Sequence, residues 1–244
     1  MISEKQLAES FDSFWQYHFP LLNPQFVRRM NAEDRERLVA KDGSLIPPVP
    51  MRKDVGRFDL VAELAYEFAL EAYKKRFGDT SNIPKATQRA LKRISALEGC
   101  SEVPDPTKQE LADANLLLHN YEHLFDMIAS EGIIRFRPRI KGTGILGEME
   151  ADFCTTSTLF EAKAVNRNLQ WIDLRQVVCY LVTGLGSCQY SWSHYCIFNP
   201  RLSVYYSGEV PELLSYLSGK SAPECISEVL DVLSEREQPL ESLF

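Results

Sequence analysis

The chain has no paired cysteine motif, no long apolar run and no excess of positive charge, and each lack removes a class of protein. Its six cysteines, Cys100, Cys154, Cys179, Cys188, Cys196 and Cys225, form no C-x-x-C pair and sit in apolar or strand-like runs. Free cysteine in such runs behaves as a small hydrophobe, which argues against a disulfide framework or a zinc cage and for a reduced setting. No stretch approaches the roughly 18 consecutive apolar residues of a membrane span. The first ten residues carry Glu4, Lys5 and Glu9 where an export signal would be apolar. A cytoplasmic location without a membrane partner is therefore expected. There is no internal repeat, no low-complexity run, no glycine-rich phosphate loop with its lysine, and no Ser-His-Asp arrangement. A formal net charge of -7 argues against indiscriminate binding to a polyanion. An enzyme that cuts one needs only a local basic cleft.

Apolar residues make up 45% of the 244-residue chain, enough to build a packed core. The order is helices, then strands, then helices. Leu7, Phe11, Phe14 and Trp15 fall on one side of a helix over 3–18, and Asn31-Ala-Glu-Asp34 reads as a later helix start. Residues 41–50, with Gly43 and three prolines, form a loop. Strong helical periods follow over 58–77, 84–97 and 108–130. Pro104 and Pro106 mark a boundary that separates an N-terminal helical accessory region, 1–105, from a second domain, 106–244. After residue 132 the period becomes two, which predicts a three-stranded meander over 133–140, 145–153 and 159–165. A helix over 169–183, a strand pair over 195–198 and 202–206, and helices opening at Pro211 and Pro223 complete the chain. The expected fold class is α/β, a mixed sheet flanked by helices.

The meander carries the chemistry. Glu148, Glu150 and Asp152 alternate along one strand, and Glu161-Ala-Lys163 lies on the next. Residues two apart on a strand share a face. A hairpin loop with an even number of residues puts all these acids and the lysine on one face, pairing Glu150 with Glu161 and Asp152 with Leu159. An odd loop puts them on opposite faces. Directly opposed carboxylates destabilise a sheet unless a cation lies between them, and Mg²⁺ takes carboxylate, water and phosphate oxygens. A lysine one strand step away can orient an attacking water and offset charge on a phosphate. An isolated Glu-x-Lys on a strand is more often a solvated face. Here the acidic strand before it and the helix after it give it context. On that helix Gln176 and Tyr180 are four residues apart and share a face.

Asp152, Glu161-x-Lys163 and Gln176-x-x-x-Tyr180 together resemble the PD-(D/E)XK phosphodiesterase superfamily, in the RecB-like branch that carries a Q-x-x-x-Y element. The resemblance covers about residues 110–207 and implies a restriction-endonuclease-like core of order αβββαβ. It implies a nuclease dependent on Mg²⁺ (or Mn²⁺) that hydrolyses phosphodiester bonds, with DNA preferred over RNA, in a phage- or defence-related setting. Asp152 and Glu161 would ligate the metal and Lys163 would hold the water. Gln176 and Tyr180 would line the site, with Gln176 touching the nucleic acid. An acid from the first core helix often joins the ligands in this family, and Glu122 fills that place here. Two departures stand out: Ala151 occupies the position of the motif's proline, and Glu150 competes with Asp152 as a ligand.

Lys85, Arg89, Lys92 and Arg93 share one side of the 84–97 helix and are the candidates for contacting phosphates, which supply most of the affinity for nucleic acid. Arg135, Arg137 and Arg139 would share a strand face beside the acidic strand. His119 and His123 have metal-ligand spacing, but Asn120 breaks the H-E-x-x-H pattern, so a mixed helical face is expected. Two alternatives to a self-sufficient nuclease are a non-catalytic nucleic-acid-binding or assembly protein that retains the fold, and a subunit active only in a homo-oligomer or larger complex. The acidic net charge suits the latter.

Overall fold

Polar caps set where the first helices begin. In the computed structural model, which describes residues 1–234, Ser3 and Gln6 form a reciprocal capping box that opens α1 (Glu4–Ser10). The single helix expected over 3–18 is broken at Phe11, after which α2 (Asp12–His18) begins. The Trp15 indole N–H donates to the Leu7 carbonyl at 2.7 Å. In an unbroken helix those residues would lie about 12 Å apart along the axis, so the break is what lets both side chains enter one core. Asn23 caps α3 (Pro24–Arg29), with proline at its first position. Asn31–Asp34 does not start a helix: Met30–Asp34 is a π-helical turn continuing α3. The Asn31 amide instead brackets Leu169, donating to its carbonyl at 2.9 Å and accepting from its N–H at 3.2 Å.

A short strand, β1 (Glu36–Arg37), comes next and has no counterpart in the sequence reading. α4 (Phe58–Arg76) buries Leu60, Leu64 and Phe68 as their spacing requires. α5 (Ile83–Glu98) opens at Asn82 and stops at Gly99, whose left-handed φ of 65° suits glycine. α6 (Lys108–Met127) is opened by a Thr107–Glu110 capping box and ends short of residue 130, where a 3-10 turn takes over.

The strands that follow are β2 (Arg135–Phe136), β3 (Arg139–Ile140), β4 (Met149–Glu150), β5 (Phe153–Cys154) and β6 (Thr158–Ala162). After α7 (Trp171–Gly186) come β7 (His194–Asn199) and β8 (Val204–Glu209), then α8 (Val210–Ser218) and α9 (Ala222–Ser234). The main sheet runs β1-β8-β7-β6-β5-β2. Only β6 and β7 pair in parallel, and α7 is the crossover that a parallel pair needs. The protein is thus α/β with a six-stranded mixed sheet flanked by helices. One apolar cluster joins α1, α2, α7, α8 and α9 to one sheet face; a second joins α4, α5 and α6 to the other. Residues on both sides of the expected boundary at 105 contribute to each cluster, so 1–105 has no core of its own.

The continuous meander expected over 133–153 is interrupted. Arg137 takes φ 51° just before Pro138, splitting the first strand into β2 and β3. β3 and β4 then form a separate pair, with Glu150 opposite Arg139. Arg135, Arg137 and Arg139 therefore do not line one strand face. The β5–β6 loop has the even length the site requires, but the register is Cys154 with Leu159 and Phe153 with Phe160. That register brings Asp152, not Glu150, opposite Glu161. The acidic strand leaves the main sheet at Glu150, which pairs with Arg139 of β3 instead. Cys154, Cys179, Cys196 and Cys225 are buried free thiols, whereas Cys188 is exposed. No helix among the described residues is long and apolar enough to cross a membrane.

Candidate active site

Asp152, Glu161, Lys163, Gln176 and Tyr180 meet where β5 and β6 reach α7. Asp152 is fixed from two sides. Its Oδ2 accepts the Ala162 N–H at 2.6 Å, and its carbonyl accepts the Arg137 N–H at 2.8 Å and the Tyr66 hydroxyl. Glu161 is buried at 5% exposure on β6 and hydrogen-bonds to the Asp152 side chain. Burial, then the charge of Asp152, pushes the Glu161 carboxyl from 4.5 up to about 8, against the pull of Lys163. Near neutrality the Glu161 carboxyl is therefore held largely in its neutral form beside Asp152.

Lys163 Nζ lies 2.7 Å from Glu161 Oε1 and donates to Gln176 Oε1 at 2.6 Å. Burial would lower its pKa, but Glu161 and Asp152 outweigh burial and raise it, so the ammonium stays charged. Gln176 Nε2 donates to the Tyr180 hydroxyl at 2.7 Å. One turn of α7 therefore presents both side chains to the end of β6, as their four-residue spacing anticipated. Arg167 holds Asp173 with two bonds of 2.6 and 2.9 Å, and Asp173 in turn accepts the Gln170 N–H at the start of α7.

The other expected site residues lie elsewhere. Glu150 is held by Arg93 at 2.7 Å and by Arg137 at 3.4 Å. Glu122 pairs with His119, its neighbour on α6, at 3.3 Å, and does not line the groove beside Asp152. Of the expected phosphate-binding set, Arg89 is bound to Glu67 and Glu71 at 2.6 and 2.8 Å, and Arg93 to Glu150 and Glu63. Lys85 and Lys92 are exposed on α5.

An open groove of about 620 Å³ leads to Asp152 and Lys163. Its walls include Asp59, Glu63 and Tyr66 of α4, Ile94 and Leu97 of α5, and Lys5 of α1. Glu122, expected here, thus stands outside the groove, whose α4 wall carries the acids Asp59 and Glu63. Burial raises the Glu63 pKa, with Arg137 and Arg93 opposing. A signal for it exists in the sequence. Glu63, Glu67 and Glu71 recur every four residues on an otherwise apolar helix, a row that calls for buried cationic partners.

Among the described residues no three carboxylate, imidazole or thiol side chains converge as a closed metal cage. Asp152 and the buried Glu161 at the end of this open groove still fit Mg²⁺, which keeps several waters and is held by one or two carboxylates plus substrate phosphates. No protein-family model matches the chain, and no curated protein and no solved structure matches it.

Proposed function

We propose that the protein is a metal-dependent nuclease that hydrolyses phosphodiester bonds of nucleic acid, with DNA as its substrate, and that its fold is a variant of the restriction-endonuclease-like core. The observation that carries this is the junction of Lys163 with Glu161 and Gln176 beside Asp152 at the end of the groove. Asp152 and Glu161 would hold Mg²⁺ or Mn²⁺. The bound ion would polarise the phosphoryl oxygen and lower the pKa of the attacking water. Lys163 has three donors, and Glu161 and Gln176 engage two of them. The third is left for the water or for a phosphate oxygen, where a fixed positive charge stabilises developing negative charge. Gln176 and Tyr180 keep the ammonium from rotating away. Tyr66 and the Ala162 N–H keep Asp152 from turning out of the site.

A second reading, a nuclease subunit whose grip on nucleic acid comes from a partner chain or another copy, draws on one further observation. Arg89, Arg93 and Arg137 are all engaged by acids, which leaves little free basic surface beside the groove. Incubation with linear and circular DNA and with RNA, in Mg²⁺ or Mn²⁺ and then in chelator, tests both. Metal-dependent cutting of DNA is expected. Metal binding by calorimetry without cutting would favour the subunit. Neither binding nor cutting would sink both and leave a non-catalytic binding or assembly protein.

A further inference from the structure

The hydrogen bonds behind Lys163 run in one direction and end outside the recognised motif. An ammonium can only donate, so Lys163 fixes the Gln176 amide with its oxygen toward Nζ, 2.6 Å away. The Gln176 NH₂ must then donate to the Tyr180 oxygen at 2.7 Å. Burial and the nearby carboxylates hold the Tyr180 phenol well above its usual pKa, so it keeps its proton. A buried hydroxyl that accepts from one side needs an acceptor on the other. Glu4 Oε1 on α1 supplies it, 3.4 Å from the Tyr180 oxygen.

We propose that Glu4 is a positioning residue for the Lys163 site, setting the polarity of the Lys163–Gln176–Tyr180 chain from its far end. The Glu4 carboxyl oxygen accepts from Tyr180 and so favours the arrangement in which Tyr180 donates outward and accepts from Gln176. Without an acceptor at position 4, the Tyr180 hydroxyl turns to donate to Gln176. Facing the Gln176 NH₂ there, it opposes the orientation that Lys163 imposes on the amide and loosens one of the two anchors of the ammonium. The place of Glu4 is set independently of Tyr180. α1 packs on α7, where Arg175 Nη1 donates to the Ala8 carbonyl at 2.9 Å and to Asp12 at 2.7 Å.

The experiment compares wild type, Glu4→Met and Glu4→Gln, the last of which keeps a carbonyl acceptor. In metal-free protein labelled with ¹⁵N-glutamine, the Gln176 side-chain amide signal is identified by its loss in Gln176→Leu. Glu4→Met should displace that signal and lower kcat for DNA cleavage ~10-fold with KM unchanged, as removal of an outer-shell partner does. Glu4→Gln should restore both. An unmoved signal in Glu4→Met, or a Glu4→Gln variant as impaired as Glu4→Met, would overturn the proposal. Because the kinetic part rests on the nuclease function, the amide signal separates the two failures. A wild type that cuts nothing while its amide signal still depends on residue 4 refutes the nuclease and leaves the polarity standing.

Discussion

Glu161 carries the largest electrostatic consequence of any single residue at the site. It is buried beside Asp152, and its carboxyl is pushed from 4.5 to about 8. The folded protein therefore favours the neutral form. The stability this gives is fully present below the ordinary carboxylate pKa and is lost as pH rises through about 8. Glu161→Gln keeps the shape and removes the titration. The variant should match wild type near pH 4, below the ordinary carboxylate pKa, and in chelator at alkaline pH exceed it by on the order of 1–3 kcal/mol, less than the full shift because Lys163 compensates part of the charge. Urea unfolding of both proteins across this pH range measures the difference. A difference that does not grow with pH would mean that Glu161 is not a buried acid with a raised pKa. The pairing of Glu161 with Lys163 on one strand face was legible from their two-residue spacing. The raised pKa of Glu161 was not, since it depends on its burial and on the register that sets Asp152 beside it.

At the scale of elements, α4 decides what the basic residues can do. Its row of Glu63, Glu67 and Glu71 meets Arg89 and Arg93 from α5 and Arg137 from the turn between β2 and β3. Arg137 Nη2 lies 2.5 Å from Glu63 and 2.8 Å from Glu67, and its guanidinium stacks 4.4 Å from the centre of the Tyr66 ring. These contacts hold Arg137 in its left-handed backbone conformation ahead of Pro138. Through its own N–H the same residue steadies the Asp152 carbonyl. Arg137→Ala leaves the acids of α4 and Glu150 without their shared cation, and should cost on the order of 3 kcal/mol. Chemical denaturation checks this. Adding Glu67→Gln to Arg137→Ala should recover part of the loss, and purely additive losses would contradict a shared network. The sequence offered Arg89 and Arg93 as phosphate ligands because a one-helix view cannot see the acids of α4 that claim them. Glu122 was named and Glu63 went unnoticed for a related reason. Spacing places both on helices, but only packing brings α4 across the groove.

The molecule as a whole is one sheet with helices on both faces, and much of that order follows from local chemistry. Helical spacing marked α4, α5 and α6, and the change of period after residue 132 marked the sheet. The breaks that escaped notice, at Phe11 and at Arg137, are imposed by long-range partners: the shared core of Leu7 and Trp15 in one case, three acids in the other. β1 escaped because two exposed residues carry no period. What brings Asp152, Glu161, Lys163, Gln176 and Tyr180 together is the even spacing between the paired Cys154 and Leu159, which the sequence left open, and the α7 that follows, which it marked. The most direct test is single-turnover cleavage of DNA in Mg²⁺ or Mn²⁺ by wild type and Lys163→Ala, with metal binding measured in parallel. Wild type should cut, and Lys163→Ala should bind the ion yet cut at least about 100-fold more slowly, the scale expected for loss of one fixed charge in the transition state. Cleavage by Lys163→Ala at the wild-type rate would contradict the assignment of this junction as the active site.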